Sequence, residues 1–163
     1  MVVDQVTLDG ANLRILAALQ SDARLTNLEL ADRVNLSASQ CSRRRLRLEQ
    51  AGVIRGYRAE LALEPLGLNI TVFTKVSLVA HSGDNARRFA KLVRGLDCVL
   101  EAHALTGDSD YLLKMVVPDL KSLSSVVNNI LLAHPSVAHV HSSVVMETLK
   151  NPGPLPLANT PGH

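Results

Sequence analysis

Between Thr26 and Ile54 the sequence TNLELADRVNLSASQCSRRRLRLEQAGVI carries two helix-start signals close together. Thr26 with Glu29, and Ser37 with Gln40, each place a hydroxyl at an N-cap and a Glu or Gln three residues on, the pattern of a capping box. Only Val34, Asn35 and Leu36 separate the first helix from the second cap. Two capped helices joined that tightly form a helix-turn-helix, the arrangement that lays its second helix into a DNA major groove. That second helix carries Arg43, Arg44, Arg45 and Arg47 just past its first turn.

The charge pattern agrees with this reading. The whole chain has a formal net charge of only +2, but Gln40 to Arg58 holds six arginines (43, 44, 45, 47, 55 and 58) against one acid, Glu49. Charge gathered on one helix and the turn after it is a footprint for phosphate contact, whereas most charge runs are simply solvated faces. At 163 residues with 47% hydrophobic content, the chain has material for one ordinary domain or two small ones. No apolar run approaches a membrane span, and MVVDQVTLDG lacks the pattern of a secretory leader, so a cytoplasmic protein is expected. Cys41 and Cys98 have no partner spacing and read as reduced, buried small hydrophobes.

The expected organisation has four parts. Residues 1–58 form a helical DNA-binding domain. Asp9 caps its first helix, which buries Ile15, Leu16 and Leu19; Leu30, Ala31, Val34 and Leu36 follow from the second helix and turn, and Cys41 and Leu48 from the third. Residues 59–68 are a hinge, and the run 54–63, centred on Gly56, is expected as a short wing or linker strand. Residues 69–150 read β-α-β-β-α-β, a ferredoxin-like order, with strands at 70–79, 99–105, 111–117 and 137–148. The helix after Pro118-Asp119 should carry Leu120, Leu123, Val127, Ile130 and Leu131 on one stripe. Residues 151–163, with four prolines in 13, are expected as a disordered or loosely docked tail. The fold class is thus α+β, a winged helix-turn-helix followed by a ferredoxin-like domain.

Two helices cover only one face of a four-stranded sheet. The strands look apolar at both parities, with Val72, Val76 and Leu78 opposing Phe73 and Val79, and Leu113 and Met115 opposing Leu112 and Val116. A second copy is therefore expected on the uncovered face. A two-fold dimer would present two recognition helices about 34 Å apart.

The stretches LDGANLRILAALQSDARLTNLELADRVNLS, RLEQAGVIRGYRAELALEPLG, LTGDSDYLLKMVVPDL and VVMETLK, together spanning roughly residues 7–150, resemble the Lrp/AsnC family of bacterial and archaeal transcription regulators. The resemblance implies sheet-mediated dimers that assemble further, to tetramers or octamers, and amino-acid effectors. It also implies an effector pocket lined by the segment Thr106, Gly107, Asp108, Ser109 and Asp110. A glycine turn offers backbone N–H groups to a carboxylate, and Asp108 and Asp110 suit an ammonium; the same five residues also suit a plain β-turn. The family pattern usually continues after Arg44 with an apolar residue and then a basic one, whereas Arg45 and Leu46 exchange those characters here. Arg45 falls on the inward stripe, its stem expected along the surface with the guanidinium reaching out.

In the recognition helix, Ser37, Ser39, Gln40 and Arg43 are candidates for base edges. Gln40 suits adenine unless its amide closes the capping box, and Arg43 suits guanine. Arg44 and Arg47 are candidate phosphate clamps. Neither a catalytic group nor a cofactor is expected. His81, His103, His139 and His141 lie on or beside strands without metal-ligand spacing. A rival reading is an enzyme resembling the sirohaem decarboxylases, using His103, His139, His141, Arg87 and Arg88 on a tetrapyrrole. An RNA-recognition domain shares the strand order, but Tyr57, Phe73, Phe89 and Tyr111 form no stacking cluster.

Overall fold

A computed structural model describes residues 6–80 and 82–157. Its contacts divide the chain into two units: one runs through Glu60 and resumes at Lys150, and the other is Leu61–Leu149. The expected boundary near residue 58 thus falls close by, while the tail belongs with the first unit.

The first unit contains three helices, α1 (Gly10–Ser21), α2 (Asn27–Val34) and α3 (Ala38–Gln50). Asp9 caps α1 by accepting the Asn12 N–H at 2.7 Å. Thr26 and Ser37 cap α2 and α3, each in a reciprocal capping box. Between α2 and α3, Asn35 takes the left-handed conformation (φ 55°), which Asn tolerates better than most residues. The Arg14 Nε–H donates to the Val34 carbonyl at 3.3 Å, tying the end of α2 to α1. Ile15, Leu19, Leu25, Leu30, Ala31, Val34, Cys41 and Leu48 make the core, with Leu16 and Leu36 packed at its margin.

After α3 the expected wing strand is absent. No residue of 54–63 pairs in a sheet, and the only regular element between Gln50 and Ile70 is a 3-10 turn at Glu64–Leu66, already within the second unit. A lone extended segment has no hairpin partner to take up its N–H and C=O groups, so it stays exposed.

The second unit is an antiparallel sheet of β1 (Ile70–Leu78), β2 (Val99–Ala104), β3 (Tyr111–Val117) and β4 (Val137–Val144), in the order β2-β3-β1-β4. Helices α4 (Gly83–Arg94) and α5 (Leu120–Ser125) cover one face. Val72, Val76, Leu113, Met115 and Val137 of the sheet enclose Phe89, Val93, Leu123 and Leu131. The long second helix departs from expectation. After Ser125 it widens into a π-helical turn, Val126–Leu131, closed by a bond from Leu132 N–H to the Val127 carbonyl. Leu131 stays fully buried, but Leu120, directly after the Asp119 cap, is exposed.

The uncovered face is less apolar than alternation suggests. Directly paired residues share a face. The register therefore sets His103–Leu112–Lys75–His141 in one row, Glu101–Lys114–Phe73–Ser143 in the next, and His139 beside Ser77. Phe73 and Leu112 are thus set among two lysines, three histidines and a glutamate. Lys114 and His103 both bond Glu101, at 3.1 and 3.2 Å, and hold its carboxyl below the usual range.

The tail is docked over the part described. The Leu155 N–H donates to Gln20 Oε1 at 2.5 Å, and Gln20 Nε2 donates back to the Leu155 carbonyl at 3.3 Å. Residues 158–163 lie outside the described residues, as does His81.

Candidate nucleic-acid interface and effector segment

The first turn of α3 is built by its own cap. The Gln40 N–H donates to Ser37 Oγ at 3.2 Å, and the Ser37 N–H donates to Gln40 Oε1 at 3.1 Å. The capping role of Gln40 is therefore realised; its amide oxygen is engaged, and Nε2 is the end left to meet a base. Ser39 Oγ lies 3.1 Å from Ser37 Oγ. Ser37, Ser39, Gln40 and Arg43 line one open hollow.

The six arginines fall into two groups. Arg44 Nη1 donates to Asp9 Oδ2 at 2.8 Å, to Asp9 Oδ1 at 3.0 Å and to Asn12 Oδ1 at 3.0 Å. It braces α3 against the start of α1 rather than reaching outward as a free clamp, because the carboxylate that caps α1 lies within its span. The Asn12 N–H first, with Arg44 adding to it, holds the Asp9 carboxyl below its usual value although burial pushes the other way. Arg45 also turns inward: it bonds Glu49, the Tyr57 hydroxyl and the Leu25 carbonyl. Its guanidinium does not reach out to solvent as expected, because those three acceptors surround it.

The side chains of Arg43, Arg47, Arg55 and Arg58 are exposed and form no ion pair among the described residues. Asp9, Asn12 and Tyr57 escaped the sequence reading as partners of α3. Only Glu49 carried a local signal, its i,i+4 spacing from Arg45.

In the second unit, Gly107 sits at φ 126°, where a side chain is strained. Thr106, Gly107 and Asp108 are exposed, and Ser109 is half-buried. Asp110 has a different task from the ammonium recognition expected of it. Its Oδ2 accepts the Leu78 N–H at 2.7 Å, its N–H donates to the Val76 carbonyl at 3.0 Å, and its own carbonyl accepts the Leu105 N–H at 2.8 Å. It fastens the β2–β3 turn to the end of β1, which leaves Asp108 as the open carboxylate.

The residues of the tetrapyrrole reading are not brought together. His103, His139 and His141 lie on the uncovered face of the sheet, while Arg87 and Arg88 sit on α4, which packs on the other, and both pair with Asp84. Among the described residues no group of three His, Cys, Asp or Glu could hold a metal ion. Among the described residues no helix is long and apolar enough to cross a membrane.

A capped helix-turn-helix with an arginine-bearing second helix, followed by a ferredoxin-like domain, defines a two-domain DNA-binding regulator. Residues 8–55 match the family described as winged helix-turn-helix DNA-binding, and residues 71–155 the Lrp/AsnC ligand binding domain. A leucine-responsive regulatory protein of Rhizobium meliloti is 40% identical over 150 residues, covering 92% of this chain and 96% of that relative. The leucine-responsive regulatory protein of Escherichia coli K12 is 38% identical over 143 residues, 88% of this chain and 87% of its own. A transcriptional regulator of Neisseria meningitidis, solved in complex with L-Met, superposes with a TM-score of 0.89 at 41% identity, covering 93% of this chain and 98% of that one. The chain belongs to the Lrp/AsnC family of transcription regulators.

Proposed function

We propose that this chain is a sequence-specific transcription regulator without catalytic activity, acting in the cytoplasm on double-stranded DNA, whose DNA binding or assembly is modulated by an amino acid. The observation that carries the reading is the recognition helix itself: an α3 closed by a capping box, whose Arg43 and Arg47 form no ion pair among the described residues while its other two arginines are tied within the domain. Ser37, Ser39, the Gln40 amide nitrogen and Arg43 read base edges; Arg47 holds phosphate. Arg44 sets the pose of α3.

For the effector, the support is the open turn Thr106–Ser109 with Asp108 free, together with the L-Met complex of the Neisseria regulator. Backbone N–H groups of the turn take the carboxylate and Asp108 the ammonium, with Asp110 shaping the turn. A second copy covers the sheet face bearing Phe73 and Leu112, and dimers assemble further into tetramers or octamers. Ligand would shift assembly or the placement of the DNA-binding domains, a coupling typically worth about 1–3 kcal/mol.

Fluorescence anisotropy on DNA from upstream of the chain's own coding region, beside a scrambled duplex and across a salt series, tests the reading. Preferential binding with a steep salt slope is expected. Equal, salt-insensitive binding to both duplexes, with a tetrapyrrole absorption spectrum in the purified protein, would overturn it.

A further inference from the structure

Tyr57 stands seven residues beyond the end of α3 in a segment that forms no strand, yet its side chain is fastened at several points. The Arg45 guanidinium lies over its ring, 4.7 Å from the centroid. Arg45 Nε–H is shared between the Tyr57 hydroxyl oxygen at 2.9 Å and Glu49 Oε1 at 3.2 Å, and the Tyr57 O–H donates to the same Glu49 oxygen at 2.9 Å. Arg45 Nη1 completes the set by donating to the Leu25 carbonyl at 3.2 Å. Glu49 and Arg45 both belong to α3, so the ring is pinned to the second half of the recognition helix. A planar guanidinium suits this task, since it stacks on an aromatic face and hydrogen-bonds in its own plane at once.

Arg55 and Arg58 stand two residues before Tyr57 and one after it, both exposed and without an ion pair among the described residues. An extended chain advances about 3.3 Å per residue, so both backbones stay within roughly 7 Å of the pinned residue. An unpinned segment of this kind would carry its charges away from the helix for much of the time.

We infer that Arg45, Glu49 and Tyr57 form a latch holding Arg55 and Arg58 beside the recognition helix as a second set of phosphate contacts, with Arg45 a positioning residue that does not itself touch DNA. This rests on the DNA-binding reading above. It also gives the exchanged characters of Arg45 and Leu46 a purpose, since an apolar residue at 45 has no way to grip the tyrosine hydroxyl.

The test is the salt dependence of binding to the upstream duplex, for the full chain and its variants. Each phosphate contact contributes about 0.9 to the slope of log K against log salt. Arg55→Ala and Arg58→Ala should each lower the slope by about that amount. Tyr57→Ala removes no charge, yet should lower it by about as much as both arginine substitutions together. Tyr57→Phe keeps the ring and removes only the hydroxyl bonds; it should fall between wild type and Tyr57→Ala, and it serves if the alanine variant does not fold. A steep wild-type slope left unchanged by the double arginine variant or by the Tyr57 variants overturns the latch alone. A wild-type chain with no salt-dependent binding overturns the DNA reading and the latch with it.

Discussion

One carboxylate joins Asp9 to two tasks: Oδ1 caps α1 through the Asn12 N–H at 2.7 Å, and Oδ2 meets Arg44 of α3 at 2.8 Å. The start of the first helix and the pose of the recognition helix therefore depend on the same side chain, 35 positions away from its partner.

Asp9→Asn separates the two tasks, because Asn still caps well while losing the charge. It should cost about 0.3–1 kcal/mol, the range of a part-exposed pair. Asp9→Ala also loses the cap and should cost about 1 kcal/mol more. The folded Asp9 carboxyl lies below its ordinary value, so its stabilising effect is complete above the unfolded carboxylate range and fades as pH falls through the folded value. Thermal melts of wild type and Asp9→Asn should thus show a constant gap from neutral pH down to about 5, closing below about 4.

Arg43 and Arg44, adjacent in sequence, should behave oppositely. Arg43→Ala is expected to leave the melting temperature nearly unchanged, weaken operator binding by about 1–3 kcal/mol and relax discrimination at one base position. Arg44→Ala should lower the melting temperature while leaving base preference in a sequence-randomised selection intact. Unchanged selectivity for Arg43→Ala would remove it from the reading set.

Asp108→Asn tests the effector segment. Asp108 is exposed and has no side-chain hydrogen bond or ion pair among the described residues, so stability without ligand should change by less than about 0.5 kcal/mol. In a thermal-shift screen of the common amino acids, the concentration of a stabilising amino acid needed for a given shift should rise about tenfold or more. An unaltered titration would show that the ammonium is held elsewhere.

Phe89, at 1% exposure and with its ring 4.7 Å from that of Tyr111, anchors α4 to the sheet. Phe89→Ala should cost about 3–5 kcal/mol in denaturant unfolding of the second unit. A loss below about 1 kcal/mol would mean that α4 does not depend on this contact.

What the sequence displayed well was local. The capping boxes at Thr26 and Ser37 and the β-α-β-β-α-β order need only neighbours within a few residues, and each appears in the structure. The roles of the arginines were hidden because their partners are distant: Asp9 reads as a cap and nothing more until α1 lies against α3, and Tyr57 reads as part of a wing. The uncovered sheet face was read only in part for a related reason. Alternation within β1 correctly opposes Val72 to Phe73, but which residues of β2 and β4 join Phe73 depends on register. The irregularities at Val99/Glu101 and Ser77/Leu78 shift that register by a residue, and they carry Glu101, His103, His139 and His141 onto the open side. Asp110 was likewise read from its turn alone, as an ammonium ligand or part of a plain β-turn, whereas its backbone and side-chain bonds to β1 appear only once the hairpin is formed.

The reciprocal bonds between Gln20 and Leu155 mean that the polypeptide leaves the first unit once and comes back to it. The two units are consequently linked by two covalent crossings, one after Glu60 and one before Lys150. A single protease cut in the exposed stretch after α3 would sever the first crossing and leave the second intact. The cleaved fragments would migrate apart under denaturing conditions. A fragment ending at Glu60 would also lack the strand of backbone that Gln20 grips, so excising the DNA-binding unit by its N-terminal sequence alone discards part of its surface.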